Sequence, residues 1–171
     1  MEPRELLLTA FDNIEQALRR ALDGLDPALL TERVDPEANT IAWLAWHLTR
    51  VQDDHVAEVA GRPQAYADAG WADRFGLPFD EQALGYGFSS EQVGQVRVGD
   101  PQLLVDYHAD VHGRTAEFVR TLGAEDLDRV VDERWDPPVT LGVRLVSVVT
   151  DDLQHVGQAA YLRGVLERTR G

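Results

Sequence analysis

A chain of 171 residues, 44% apolar and 27% charged, has the length of one domain and the composition of a self-folding globule, so residues 1–171 are expected to form a single unit. Its 30 acids against 16 bases give a formal charge of −14, a field that repels phosphate backbones and anionic lipid; neither nucleic acid nor a membrane surface is an expected partner. Cysteine is absent, which excludes disulfides, thiolate ligands and a cysteine nucleophile and leaves His and carboxylates to hold any metal.

Met1-Glu2-Pro3-Arg4 lacks the basic, apolar, small-residue order of a secretion signal, and the apolar runs are too short to span a bilayer, so the cytoplasm is the expected location. From Glu5 to Leu22 the residues Leu7, Leu8, Phe11, Ile14, Leu18 and Ala21 recur at intervals of three and four, which predicts a first helix closed by Gly24. Pro27 opens a short helical stretch to Arg33, and Asp35-Pro36 breaks it. Asn39 or Thr40 can cap a second helix, with Ile41, Leu44, Leu48, Val51, His55 and Val59 on its buried side, ending near Gly61-Arg62-Pro63.

Residues 62–99 are rich in glycine and scattered aromatics, among them Tyr66, Trp71, Phe75, Phe79, Tyr86 and Phe88. They are expected to form a long ordered crossover with short helical turns, because so many large apolar groups need something to pack on. Gly85-Tyr86-Gly87 within it reads as a turn, and no phosphate-cradling pattern is present. Asp100 as a cap and Pro101 at the first position start a third helix that runs to Leu122 and stops at Gly123. A turn-rich segment through Trp135-Asp136-Pro137-Pro138 leads to a fourth helix from about Leu141 to Arg168. Four amphipathic helices, one long crossover and no sustained period-two alternation predict an all-α four-helix bundle.

On the fourth helix Asp151 and His155 are four apart, about 40° around the axis and one turn along it, so both can address one ion. The bland alternative is a solvated Asp beside a buried, hydrogen-bonded His. Val148, Val149, Leu153, Val156 and Ala159 place the pair near an apolar face, where an unpaired carboxylate is costly. A single helix cannot surround a metal, so a third ligand must come from elsewhere, and His47 in the middle of the second helix is placed to supply it. His108 and His112 form another pair four apart, with no obvious third ligand, and His55 suits a capping or packing role. Trp43 and Trp46 are core fillers of which one could wall a pocket. Arg50 and Arg163 are candidates to hold a carboxylate of a substrate or cofactor, weighed against ordinary structural ion pairs.

The segment Asp151-Asp152-Leu153-Gln154-His155-Val156-Gly157-Gln158-Ala159-Ala160-Tyr161-Leu162-Arg163-Gly164 resembles the last-helix signature of the DinB/YfiT-like superfamily, and Thr40-Ile41-Ala42-Trp43-Leu44-Ala45-Trp46-His47-Leu48 resembles its other characteristic block. The resemblance covers nearly the whole chain and points to the branch containing the metal-binding domain of mycothiol-dependent maleylpyruvate isomerase. It implies an up-down-down-up bundle, often homodimeric, with His47, Asp151 and His155 as ligands of a divalent ion. Zinc suits that donor set best, with nickel, manganese or iron as alternatives. It further implies an S-transferase or isomerase acting on a small thiol such as mycothiol and an electrophilic substrate. This branch usually carries Glu at the middle ligand, where Asp151 is one methylene shorter, and the isomerase has an additional C-terminal domain not found in this sequence. The competing expectation is a non-catalytic stress-response or interaction module in which a metal staples the helices together.

Overall fold

The computed structural model describes residues 2–170. Four long helices dominate: α1 (Pro3–Leu22), α2 (Ile41–Ala60), α6 (Pro101–Arg120) and α7 (Leu141–Arg170), with the short helices α3 (Ala65–Asp68), α4 (Trp71–Phe75) and α5 (Ser90–Gln95) in the segment between α2 and α6. α2 packs on α7 and α6, and α1 packs on the same two helices, which encloses the apolar core. Among the described residues no helix is long and apolar enough to cross a membrane.

The helix ends follow their local chemistry. Thr40 Oγ1 accepts from the Trp43 amide and starts α2, and Gly61, at φ +62°, ends it in the left-handed conformation that costs glycine least. Asp100 caps α6, whose first residue is Pro101 as expected. Leu104, Tyr107, His108, Val111, Thr115 and Phe118 are all buried along α6.

Three features depart from the sequence reading. A two-stranded antiparallel sheet, β1 (Val130–Asp132) with β2 (Val139–Thr140), precedes α7 where only turns were expected. From Ile41 to Asp53 every residue of α2 is buried, because the crossover covers the flank that an outer helix would expose. On α7 the buried stripe runs Leu145, Val148, Asp152, Val156, Ala159. Leu153, expected near the apolar face, lies about 100° away from Asp152 around the helix and is 47% exposed.

The crossover is pinned to α2 by a buried polar cluster. Asp53 accepts from the amides of Ala65 and Tyr66 at 2.8 Å each, satisfying the first turn of α3, and from the Tyr107 hydroxyl at 2.9 Å. Arg50, fully buried, donates to the carbonyls of Glu81 at 2.8 Å and Ala83 at 3.2 Å and to Gln64 Oε1 at 2.9 Å, with its guanidinium 4.2 Å from the Tyr66 ring centroid.

Candidate metal centre

α2 and α7 bring His47, Asp151 and His155 together, so that one ligand atom from each lies within 4.8 Å of the other two. His47 is buried, whereas the side chains of Asp151 and His155 keep 25% and 18% of their surface open. His155 Nε2 stands 3.7 Å from Asp151 Oδ1, and the two imidazoles lie edge to face with centroids 4.9 Å apart. Among the described residues no other His, Asp or Glu group converges in this way; His108 and His112 have ring centroids 6.4 Å apart, and although Asp12 contacts His112 at 3.0 Å the three do not meet at one point.

Both imidazoles are oriented by a second bond. His47 Nδ1 bonds the Leu84 carbonyl, which can only accept, so Nδ1 carries the proton and Nε2 keeps its lone pair. His155 Nδ1 bonds Gln158 Oε1 at 3.0 Å, one turn on, which leaves Nε2 free on the side of Asp151. This is the arrangement by which metal-binding His residues are held in one tautomer. Burial, the strongest influence, lowers the His47 pKa; the Leu84 bond and Asp151 oppose that shift and His155 adds to it. The ring is therefore neutral at pH 7, the state a ligand requires.

The fit to a cation rests on one further observation. Asp151 Oδ2 is a buried oxygen with no hydrogen-bond partner, on the carboxylate whose Oδ1 stands 3.7 Å from His155 Nε2. Unpartnered buried carboxylate oxygens are costly, and a divalent ion held by this carboxylate and the two imidazoles would offset that cost. The donor set of two imidazoles and one carboxylate suits such an ion and leaves further coordination positions open.

The walls come from α2 and the crossover. Trp43 stacks on His47 at 4.5 Å and meets His155 edge-on at 5.9 Å. Trp46 belongs instead to the core, among Tyr66, Phe79 and Phe88. Tyr86 stands edge-on to His47 at 4.9 Å and is 56% exposed. Burial of its hydroxyl and the charges of Asp151, Asp152 and Asp54, against Arg144, push its pKa up to about 12, so the phenol stays protonated. Gly85-Tyr86-Gly87 reads in the sequence as a turn, and nothing in that pattern signals that the turn, with Leu84 before it, packs on the second-helix histidine.

Neither arginine singled out from the sequence faces the cluster. Arg50 is committed to the crossover carbonyls, and Arg163 donates to the carbonyls of Arg20, Ala21 and Asp23, closing the C-terminal turn of α1, while pairing with Glu167 at 2.8 Å. His55, expected to cap or pack, contacts Arg144 at 3.2 Å and Asp54 at 3.4 Å.

Asp152, which the sequence reading passed over, is fully buried with both carboxylate oxygens unpartnered; burial and then the charge of Asp151 hold its carboxyl well above the usual range.

The profile of the DinB superfamily matches residues 10–159, and the chain belongs to that superfamily. A solved crystal structure of a conserved protein from Enterococcus faecalis superposes with a TM-score of 0.89 at 28% identity, over 95% of this chain and 96% of the other. No curated protein matches.

Proposed function

We propose that this protein is a divalent-metal-dependent enzyme that activates a low-molecular-weight thiol, of the mycothiol type, for transfer to or isomerisation of an electrophilic substrate. The observation that carries the reading is the convergence of three ligand atoms at a place that solvent can reach, with one carboxylate oxygen left unpartnered. DinB-like proteins commonly bind divalent metals. The four long helices are read as an up-down-down-up bundle, which fits the pairing of α1 and α2 each with α6 and α7.

In this reading His47, Asp151 and His155 hold the ion, with zinc the best match to two imidazoles and a carboxylate. A divalent ion held there would supply Lewis acidity that lowers the pKa of a bound thiol. Leu84 and Gln158 keep the two imidazole Nε2 atoms aimed inward. Trp43 excludes water from the inner side. Tyr86, protonated and half-exposed at the rim, is the group placed to donate a hydrogen bond to an incoming substrate oxygen.

The test is metal content by elemental analysis together with consumption of mycothiol or another small thiol by a chlorobimane-type electrophile. Stoichiometric metal with rates equal to the uncatalysed reaction across a panel of thiols would sink the transferase reading. It would favour the structural staple, a second reading supported by the way His47 also ties the crossover to α2 through Leu84.

A further inference from the structure

A cavity of about 540 Å³, within the range of small-molecule sites, opens between the C-terminal half of α2, the start of the crossover, and the β1–β2 loop with the first turn of α7. None of the three cluster residues lines it, and Arg144 on its wall precedes Asp151 by about 10 Å along the axis of α7. Its charges are sorted by element. The hairpin and α7 wall is cationic: Arg134 donates to both oxygens of Asp132, at 2.9 and 2.8 Å, and Arg144 donates to one of the same oxygens at 3.1 Å, so two guanidiniums share one carboxylate. The α2 wall is acidic, with Asp54 and Glu58; the charge of Glu58 reaches Arg134, yet no ion pair joins the two walls among the described residues. His55 stands between them. Arg144 donates to its Nδ1 at 3.2 Å, which leaves the ring hydrogen on Nε2. Burial and then Arg144 lower the His55 pKa, against Asp54, Glu58 and Asp151, so the ring is neutral at pH 7.

We infer that this cavity binds a short peptide with both ends free, its carboxylate held by Arg134 and Arg144 and its ammonium by Asp54 and Glu58. Charge selects the ligand class. The guanidiniums of Arg62, Arg134 and Arg144 on the lining are matched by Asp54, Glu58 and the Asp132 behind them. A plain anion gains at one wall and loses at the other, and it also meets the repulsion of a chain at −14. A plain cation is drawn to the chain and repelled by three guanidiniums here. A ligand with both charges gains at both walls and carries no net charge against the field. Because the walls stand too far apart for an ion pair, the ligand's charges must be apart as well, as at the two ends of a peptide and not on one amino-acid carbon. Arg is suited to a carboxylate through its paired donors, and the Arg134 side chain is 80% exposed and so open to one. The apolar lining is confined to Ala57, Pro63 and Ala67, which suits small side chains on the peptide. Gln64 and Gln82 add side-chain amides of the kind that bond a peptide backbone.

The test titrates alanyl-alanine, its N-acetyl form and its C-terminal amide into the isotope-labelled chain at pH 7 and follows the backbone amides by NMR. The free dipeptide is expected to shift cavity residues, Glu58, Gln64 and Arg134 among them. Each capped form is expected to bind about tenfold more weakly, the loss that goes with one charge-assisted contact. Arg134 and Glu58 are exposed, so replacing either leaves the fold intact. Arg134→Gln is expected to remove the preference over the amide and keep that over the acetyl form, and Glu58→Gln to do the reverse. Equal binding of the three probes, or no shift in the cavity at tens of millimolar, overturns the proposal. Shifts centred on His47 and His155 overturn it too, by placing the peptide at the metal cluster. Preferences unchanged in both variants overturn the assignment of the two walls. The probes contain no sulfur, so any of these failures leaves the thiol reading of the metal cluster standing.

Discussion

Gly85 approaches His47 so closely that a β-carbon at residue 85 would stand 2.9 Å from Nδ1, and also 3.2 Å from the Trp43 indole nitrogen and from the Trp46 ring. Its φ of +99° is open to glycine and strained for any other residue. Gly85→Ala is therefore expected to push the turn off His47 and break the Nδ1 bond to Leu84. Stability should fall by about 1–3 kcal/mol, read by chemical denaturation. Zinc affinity should fall about 10- to 100-fold, read by competition with a chromogenic chelator. Wild-type affinity in this variant would show that the turn does not orient the ligand.

His47→Ala removes the one buried imidazole of the cluster. Metal content is expected to fall to a small fraction of one ion per chain, with Asp151→Asn giving a similar loss. The thermal midpoint separates the two readings of the ion. A catalytic role predicts that chelator-treated wild type and His47→Ala melt within a few degrees of the metal-loaded protein. A drop as large as those seen when structural zinc is lost would make the metal a staple.

The parts of this site that the sequence exposes are those carried by local periodicity. Asp151 and His155 are one helical turn apart, and that spacing survives whatever the helix packs on. The capped start at Thr40 fixed where α2 begins and so which side of it His47 would occupy. What stayed hidden depends on approach between distant segments. Leu84 and Gly85 act through a carbonyl and through the absence of a β-carbon, neither of which has a sequence signature. Arg50, weighed in the sequence between a substrate carboxylate and a structural ion pair, is structural, and its partners include the carbonyls of Glu81 and Ala83, backbone atoms that no sequence pattern marks. Asp152 and Leu153 were exchanged by one residue: hydrophobicity favours Leu153 for the inward place, and the rotation of α7 gives it to the acid.

Arg50 is fully buried and holds the crossover immediately before the turn that orients His47. Its guanidinium also lies 3.5 Å from Asp53, whose pKa burial raises, against the opposing pull of its bonds to Ala65, Tyr66 and Tyr107 and of Arg50 itself. Arg50→Met keeps most of the volume and removes the charge, so it leaves Asp53 buried without its cation and two carbonyls without donors. A loss of about 3–5 kcal/mol is expected. Urea denaturation reads the loss, and a variant as stable as the wild type would show that neither the ion pair nor the carbonyl bonds of Arg50 hold the crossover.

His108 gives the stability of the fold a pH dependence independent of the metal cluster. It is buried on α6 with Nε2 unpartnered, and burial, with His112 on the same helix and Arg19 on α1, lowers its pKa to about 3. The neighbouring His112 contacts Asp12 on α1 at 3.0 Å. In the unfolded chain His108 titrates at its ordinary value near 6.5. Between those two values the unfolded state binds a proton that the folded state refuses. Stability is thus undiminished above pH 6.5, falls as pH drops below it, and ceases to respond to this group only near pH 3. Each unit inside that window costs about 1.4 kcal/mol, so lowering the pH from 6.5 to 5 should remove about 2 kcal/mol through His108. His108→Leu deletes the titrating group while keeping an apolar side chain in the α1–α6 contact. Urea denaturation at pH 7 and pH 5 should show a smaller drop for the variant by about that amount, whatever the variant's own stability at pH 7. An equal drop in both proteins would mean that His108 takes up its proton in the folded state and finds a partner there.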